Sequence, residues 1–123
     1  NSFIILKIKM KQLLYAVLLF TAGQSMIWFQ TNAQFFWKWA KDHPFLMAVL
    51  FSTPISVMFI KATALIVTHF DGQLWPGRFI AQAMGIMTFA FFTYMVLGEG
   101  ITHKTTVSLL LSLTLLLIQI LWK

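Results

Sequence analysis

The stretch KTTVSLLLSLTLLLIQILW, residues 104–122, decides the fold. Its one charged residue, Lys104, stands at its start, and leucine and isoleucine fill most of the remainder. A membrane-crossing helix needs about 20 predominantly apolar residues, so this stretch predicts a helix that faces lipid. Thr102 or Thr105 can cap its first turn, because a threonine side chain accepts a hydrogen bond from a free backbone N–H there.

The whole chain is predominantly apolar, as that stretch is. Of its 123 residues 59% are apolar and only 10% are charged, whereas soluble domains carry about a quarter charged residues. Four spans would use roughly 80 residues and leave only ends and short connectors. These numbers predict an all-α integral membrane protein forming a single domain, 1–123, as a four-helix, up-down-up-down bundle with short loops. The predicted spans are about 13–31, 45–68, 78–97 and 104–122.

Breaker residues separate these spans. Pro44 suits the first turn of a helix, and the residue before a proline is pushed out of helical geometry. Asp71-Gly72 indicates a turn, and Gly98 closes the third span. Pro54 lies inside the second span and should kink it.

The basic residues indicate orientation. The side of the membrane with both termini holds Lys7, Lys9, Lys11, Arg78 and Lys123, and the opposite side holds Lys38, Lys41 and Lys104. An excess of basic residues favours the cytoplasm, so both termini are expected there. Met10-Lys11-Gln12 is typical of a natural start, however, whereas this sequence begins with Asn1. A chain starting at Met10 would have three basic residues on each side of the membrane. We expect such a chain to insert in both directions.

Lys61 is the one charge that the spans do not explain. It lies seven residues inside the second span, about 10 Å from its end at the helical rise. A charge at the centre of a membrane helix costs about 2.5–3.5 kcal/mol. Lys61 therefore snorkels to the headgroups, contacts an anion or carboxylate in a chamber, or loses its proton because burial disfavours the charge. The helical face that contains it is predicted to point inward and continues through Pro54, Val57, Ala64 and Thr68.

Glutamine and aromatic residues are the other candidates for a solute site. Thr21, Gln24, Trp28 and Thr31 recur at steps of three and four along the first helix. They either bond to a neighbouring helix or, with Gln82 and Lys61, line a site in which amides orient a substrate beside an aromatic wall. A transporter should place Lys61, Gln24 and Gln82 around one water-accessible cavity.

The last helix carries a narrow polar seam on an otherwise aliphatic surface. Ser108, Ser112 and Gln119 lie on this seam with Thr105 and Leu115. Polar residues at such spacing indicate contact with another helix. That helix belongs either to a second copy of the chain or to the same bundle.

No residue pattern indicates catalysis, a cofactor or a metal. The chain has no cysteine, which removes thiol nucleophiles and thiolate zinc ligands. Pairs such as Glu99 with His103 supply only two ligands each, in loops. The nine basic residues are scattered, so no nucleic-acid partner is expected.

The segment FAFFTYMVLGEGIT, residues 89–102, together with Trp28-Phe29 and Gln82, resembles the half-size members of the drug/metabolite transporter superfamily. These include the small multidrug resistance proteins and an uncharacterised four-helix family of similar length. The resemblance implies a homodimer with a shared solute chamber and alternating access, joined through the last helix, in a bacterial inner membrane.

One departure from this resemblance concerns the substrate. Small multidrug resistance proteins carry a carboxylate in the first helix, where this chain has none and Gln24 is the nearest polar residue. With Lys61 as the buried cation, the substrate is expected to be anionic, zwitterionic or neutral. The sequence thus predicts a transporter of a small organic solute. The alternative is a non-transporting structural or accessory subunit of a larger membrane complex, with lipid and protein contacts made by its aromatic residues.

Overall fold

The computed structural model describes residues 2–122, and within that range every regular element is helical. A short 3-10 turn, Ala33–Phe35, follows the first α-helix. The α-helices are α1 (Ser2–Asn32), α2 (Lys38–Asp42), α3 (Pro44–His69), α4 (Trp75–Leu97) and α5 (His103–Leu121). The predicted all-helical class is confirmed.

The outer surface of these helices is apolar. In the described part of the chain, α3, α4 and α5 are long and apolar enough to cross a membrane. Side chains as large as Phe45, Ile60 and Trp122 are more than two thirds exposed, at 77%, 69% and 78%. Soluble monomers rarely expose large contiguous apolar patches. The chain is therefore a membrane protein whose apolar exterior faces lipid.

The helix ends follow local sequence signals. Pro44 stands in the first turn of α3, and α3 continues through Pro54. Gly98 ends α4 in the left-handed conformation (φ 73°), and its N–H donates to the Tyr94 carbonyl over 3.1 Å. Glycine adopts this conformation without the steric cost that a side chain adds. Thr102 caps α5 by accepting a hydrogen bond from the Thr105 N–H over 3.3 Å.

Helix α1 lies between α3 and α4. The ring of Phe20 packs on Phe59 with centroids 5.6 Å apart, and Phe29 packs on Phe51 at 5.5 Å. Thus α1 and α3 run in opposite directions. The core consists of buried residues from α1, α3 and α4: Ala16, Phe20, Ala62, Ile66, Ile80 and Ala81.

Two further contacts fix the positions of α4 and α5. Helices α3 and α4 meet over a short stretch, where a Cβ added to Gly77 would lie 2.9 Å from Ile66 Cγ2. Helix α5 packs on α4 and has no fully buried residue between His103 and Leu121. The compact part of the bundle is therefore α1, α3 and α4.

Candidate functional site

A cleft of about 560 Å³ lies between α1, α3 and α4, and we call it the central cleft. Its volume falls in the range of about 300–1,000 Å³ that is usual for small-molecule sites. Helix α1 forms one side with Phe20, Gln24 and Ile27, and α3 contributes Phe59 and Thr63. The third side is α4, from Gly77 to Ile86.

The polar groups of the central cleft come from all three helices. Arg78 and Gln82 are four residues apart on α4, so they share a face and lie about 6 Å apart along the axis. Gln24 of α1 and Thr63 of α3 also line the cleft. The structure therefore brings together Gln24 and Gln82, two of the residues that the sequence predicted for one cavity.

The amide of Gln24 is held by α4. Its Nε2 donates to the Ala81 carbonyl over 3.1 Å. The amide lies against Gly85, where an added Cβ would be 2.9 Å from its Cδ, Nε2 and Oε1 atoms. Gly85 thus leaves room for the amide, and the carbonyl oxygen of Gln24 takes no part in the bond to Ala81. That oxygen can accept a hydrogen bond from a ligand.

The charge in the lining of the central cleft is of one sign. Arg78 supplies a guanidinium, and none of the described residues that line the cleft is acidic. Arg78 is exposed and lies in the first turns of α4, close to the aromatic anchor Trp75. The end of the cleft at Arg78 is consequently positive, while Ile27 and Ile86 make other parts of its lining apolar.

Lys61 lies elsewhere. The buried residues of α3 are Met47, Ile55, Ala62 and Ile66, and they define the face that packs on α1 and α4. Lys61 is exposed and does not line the central cleft. The prediction that its face points inward is wrong, because small Ala62 and branched Ile66 fit the core and so turn Lys61 outward.

Trp28 does not line the central cleft either. It is 4% exposed, and its indole N–H donates to Thr93 Oγ1 over 3.0 Å. Its ring stacks on Phe92 with centroids 5.5 Å apart. This placement fits the helix-contact interpretation of the stripe on α1, since the buried indole N–H finds a partner on α4.

The seam on α5 faces α4 in part. Ser112 and Gln119 are half-buried and Ser108 is exposed. Ser108 and Ser112 line a groove of about 310 Å³ between α4 and α5, which also contains Glu99. Both serine hydroxyls donate to carbonyls of their own helix, those of Lys104 and Ser108, over 3.0 Å.

Arg78 is the cleft residue that sequence reasoning missed. The sequence assigned it to membrane orientation, as a basic residue at the start of a span. The available signal was its spacing from Gln82, already a candidate, and from Ile86, at steps of four along one helical face.

The described residues contain no group of three or more His, Asp or Glu side chains placed to hold a metal ion. Comparisons of the sequence and fold with protein-family models, with curated proteins and with solved structures find no match. The fold and the central cleft define the chain as a helical membrane protein with an open cleft between three helices that carries a positive charge at one end.

Proposed function

We propose that this chain is a small multi-pass transporter that binds a small organic solute in the central cleft and moves it by alternating access. The observation that carries this proposal is the meeting of Gln24 and Gln82 with Arg78 in one cleft between three helices. Amides that converge beside apolar walls are typical of sites that orient a small molecule. Arg78 supplies the cation that the sequence had predicted at Lys61.

The proposal includes four membrane spans in an up-down-up-down arrangement. Residues 13–31 of α1 form the additional span, because this part of α1 packs along α3 and α4, which are apolar enough to cross the bilayer. The antiparallel contacts of α1 with α3 support the alternating directions. The bacterial inner membrane and cytoplasmic termini, or insertion in both directions, complete this topology.

The proposed assembly is a homodimer that uses α5. This helix has no buried residue, and its serine hydroxyls bond within the helix. Transport through a four-helix chain needs a second copy to complete a path, because the central cleft is open on one side of a small bundle. Ser108, Ser112 and Gln119 remain the candidate contact residues, although Ser112 also borders the groove between α4 and α5.

The alternative is an accessory subunit of a larger membrane complex. The exposed position of Lys61 favours it, since a lysine on the outer face of a membrane helix can pair with an acidic group of a partner. In that case the glutamines serve helix packing, as the Gln24 bond to Ala81 does.

Cysteine accessibility separates these two functions. The 123 residues contain no cysteine, so each single substitution introduces the one thiol that can react. We choose Gln82→Cys in the central cleft and Ile60→Cys on the outer face of α3 as its control. Because Ile66 lies against Gly77 and the two helices run in opposite directions, Ile60 and Gln82 lie at similar depth.

A membrane-impermeant maleimide is applied to either side of sealed vesicles, with Gln34→Cys and Gln73→Cys in the connectors marking the two sides. In a chain that inserts in one direction, each connector cysteine reacts from one side only. For such a chain, alternating access predicts that Gln82→Cys reacts from both sides. Ile60→Cys should stay unreacted, because a thiol in lipid does not ionise to the reactive thiolate. Reaction of Gln82→Cys from one side only would contradict transport and favour the accessory subunit.

A further inference from the structure

The lining of the central cleft changes in chemical character along α4. Arg78, Gln82 and Ile86 follow one another at steps of four, so they lie on one face over about 12 Å. The order along this face is a charge, an amide and an aliphatic side chain. A ligand that fits this order has a charged end, then a hydrogen-bonding region, then an apolar end.

The same lining determines the sign of the charge that a ligand must carry. Among the described residues that line the central cleft, Arg78 is the one with an ionisable side chain. Its planar guanidinium can donate two parallel hydrogen bonds to a carboxylate or a phosphate. A cationic ligand would meet the guanidinium with no carboxylate in the lining to offset the repulsion.

The apolar part of the lining can surround the hydrocarbon part of a ligand, which we call its hydrocarbon body. Phe20 and Phe59 pack on each other and both border the central cleft. Ile27 and Ile86 lie farther along α1 and α4. A hydrocarbon body placed among these side chains leaves water for apolar surroundings, which favours binding.

We propose that the central cleft binds an organic anion: an oxyanion group, carboxylate or phosphate, attached to an apolar body. The oxyanion pairs with Arg78, the amides of Gln82 and Gln24 bond to polar groups next to it, and the body lies among Phe59, Ile27 and Ile86. This inference rests on the proposed function, because it names the ligand class of the same cleft. The anion is either a free organic acid or the headgroup of an anionic lipid.

Photocrosslinking of the full chain in bilayers of phosphatidylcholine tests this inference. The probes are dodecanoic acid with a diazirine on its chain and the chain-matched dodecylamine, used at mildly alkaline pH so that the acid is ionised. We expect the acid to label residues of the central cleft, located by peptide mass spectrometry, and the amine to label them several-fold less.

Two substitutions that each remove one positive charge form the matched pair. Arg78→Gln should reduce labelling of the cleft by the acid about tenfold, as loss of a charge-assisted hydrogen bond predicts. Lys61→Gln should leave it unchanged, because Lys61 lies outside the central cleft. Arg78→Lys should retain an intermediate level, since it keeps the charge without the planar fork. Equal loss in both Gln variants, or equal labelling by the amine, would overturn the inference.

Adding phosphatidylglycerol to the bilayer identifies the source of the anion. Competition with the acid assigns the cleft to an anionic lipid, and undiminished labelling assigns it to a free organic acid; both results support an organic anion. The labelling needs no gradient across the membrane. A cleft that binds the acid while Gln82→Cys reacts from one side only would therefore reject transport and keep the ligand class.

Discussion

Gly77→Ala should force α3 and α4 apart where they meet. The new methyl group would lie 2.9 Å from Ile66 Cγ2 and 3.6 Å from Ile66 Cβ. Ile66 is fully buried and branched at Cβ, so its Cγ2 cannot swing away as the end of a long side chain would. Overpacking of this kind costs about 1–3 kcal/mol. The gain in helix propensity from glycine to alanine, at most about 1 kcal/mol, offsets part of that cost.

A double-mutant cycle with Ile66→Ala isolates the contact. That substitution alone leaves a cavity and destabilises the fold, by about 2–5 kcal/mol in a well-packed core. In its background Gly77→Ala meets only the Cβ atom at an ordinary distance, so its steric cost disappears. The propensity gain is the same in both backgrounds and cancels. We therefore expect a coupling free energy of about 1–3 kcal/mol between the two positions.

The assay is unfolding in lipid bicelles by added SDS, followed by the helical circular dichroism signal. Gly100→Ala is the control, because a Cβ at Gly100 meets no atom within 4 Å. A coupling below about 0.5 kcal/mol, with Gly77→Ala no more destabilising than Gly100→Ala, would refute the close approach of α3 and α4.

Three further substitutions test single contacts by the same unfolding assay. Gly85→Ala should displace the Gln24 amide and weaken its bond to Ala81. We expect a coupling to Gln24→Ala of about 0.6–1.7 kcal/mol, the range measured for interhelical hydrogen bonds in membranes. Additive effects of the two substitutions would count against this contact. Trp28→Phe removes the N–H bonded to Thr93 and part of a buried ring. The hydrogen bond should appear as a coupling of about 1 kcal/mol with Thr93→Val, and additive effects would contradict it. Gly98→Ala places a side chain at φ 73° and should cost about 1–2 kcal/mol, whereas an unchanged stability would contradict the left-handed end of α4.

Local signals made the helix ends predictable from the sequence. The proline at 44, the turn at Asp71-Gly72, the glycine at 98 and the Thr102 cap act through backbone geometry within a few residues. Such effects depend little on the rest of the fold. The structure accordingly has α3, α4 and α5 within a few residues of the predicted spans.

The inward faces of the helices were less predictable. In a soluble helix the apolar stripe marks the buried side, but a membrane helix is apolar all round and has no such stripe. The buried face of α3 is set instead by how Ala62 and Ile66 fit against α1 and α4. Lys61 was therefore assigned to the wrong face, whereas Gln24 and Gln82 do line the central cleft, because a polar side chain prefers a neighbouring helix to lipid.

The way α5 is attached has a consequence for biogenesis. Since α5 packs on α4, buries no residue completely and leaves Leu116 and Ile120 only partly buried against the core, we expect α1, α3 and α4 to pack together without it. During synthesis the central cleft is then expected to form before α5 packs on α4. We expect α5 to insert afterwards, onto the side of α4 that the finished part of the bundle already presents.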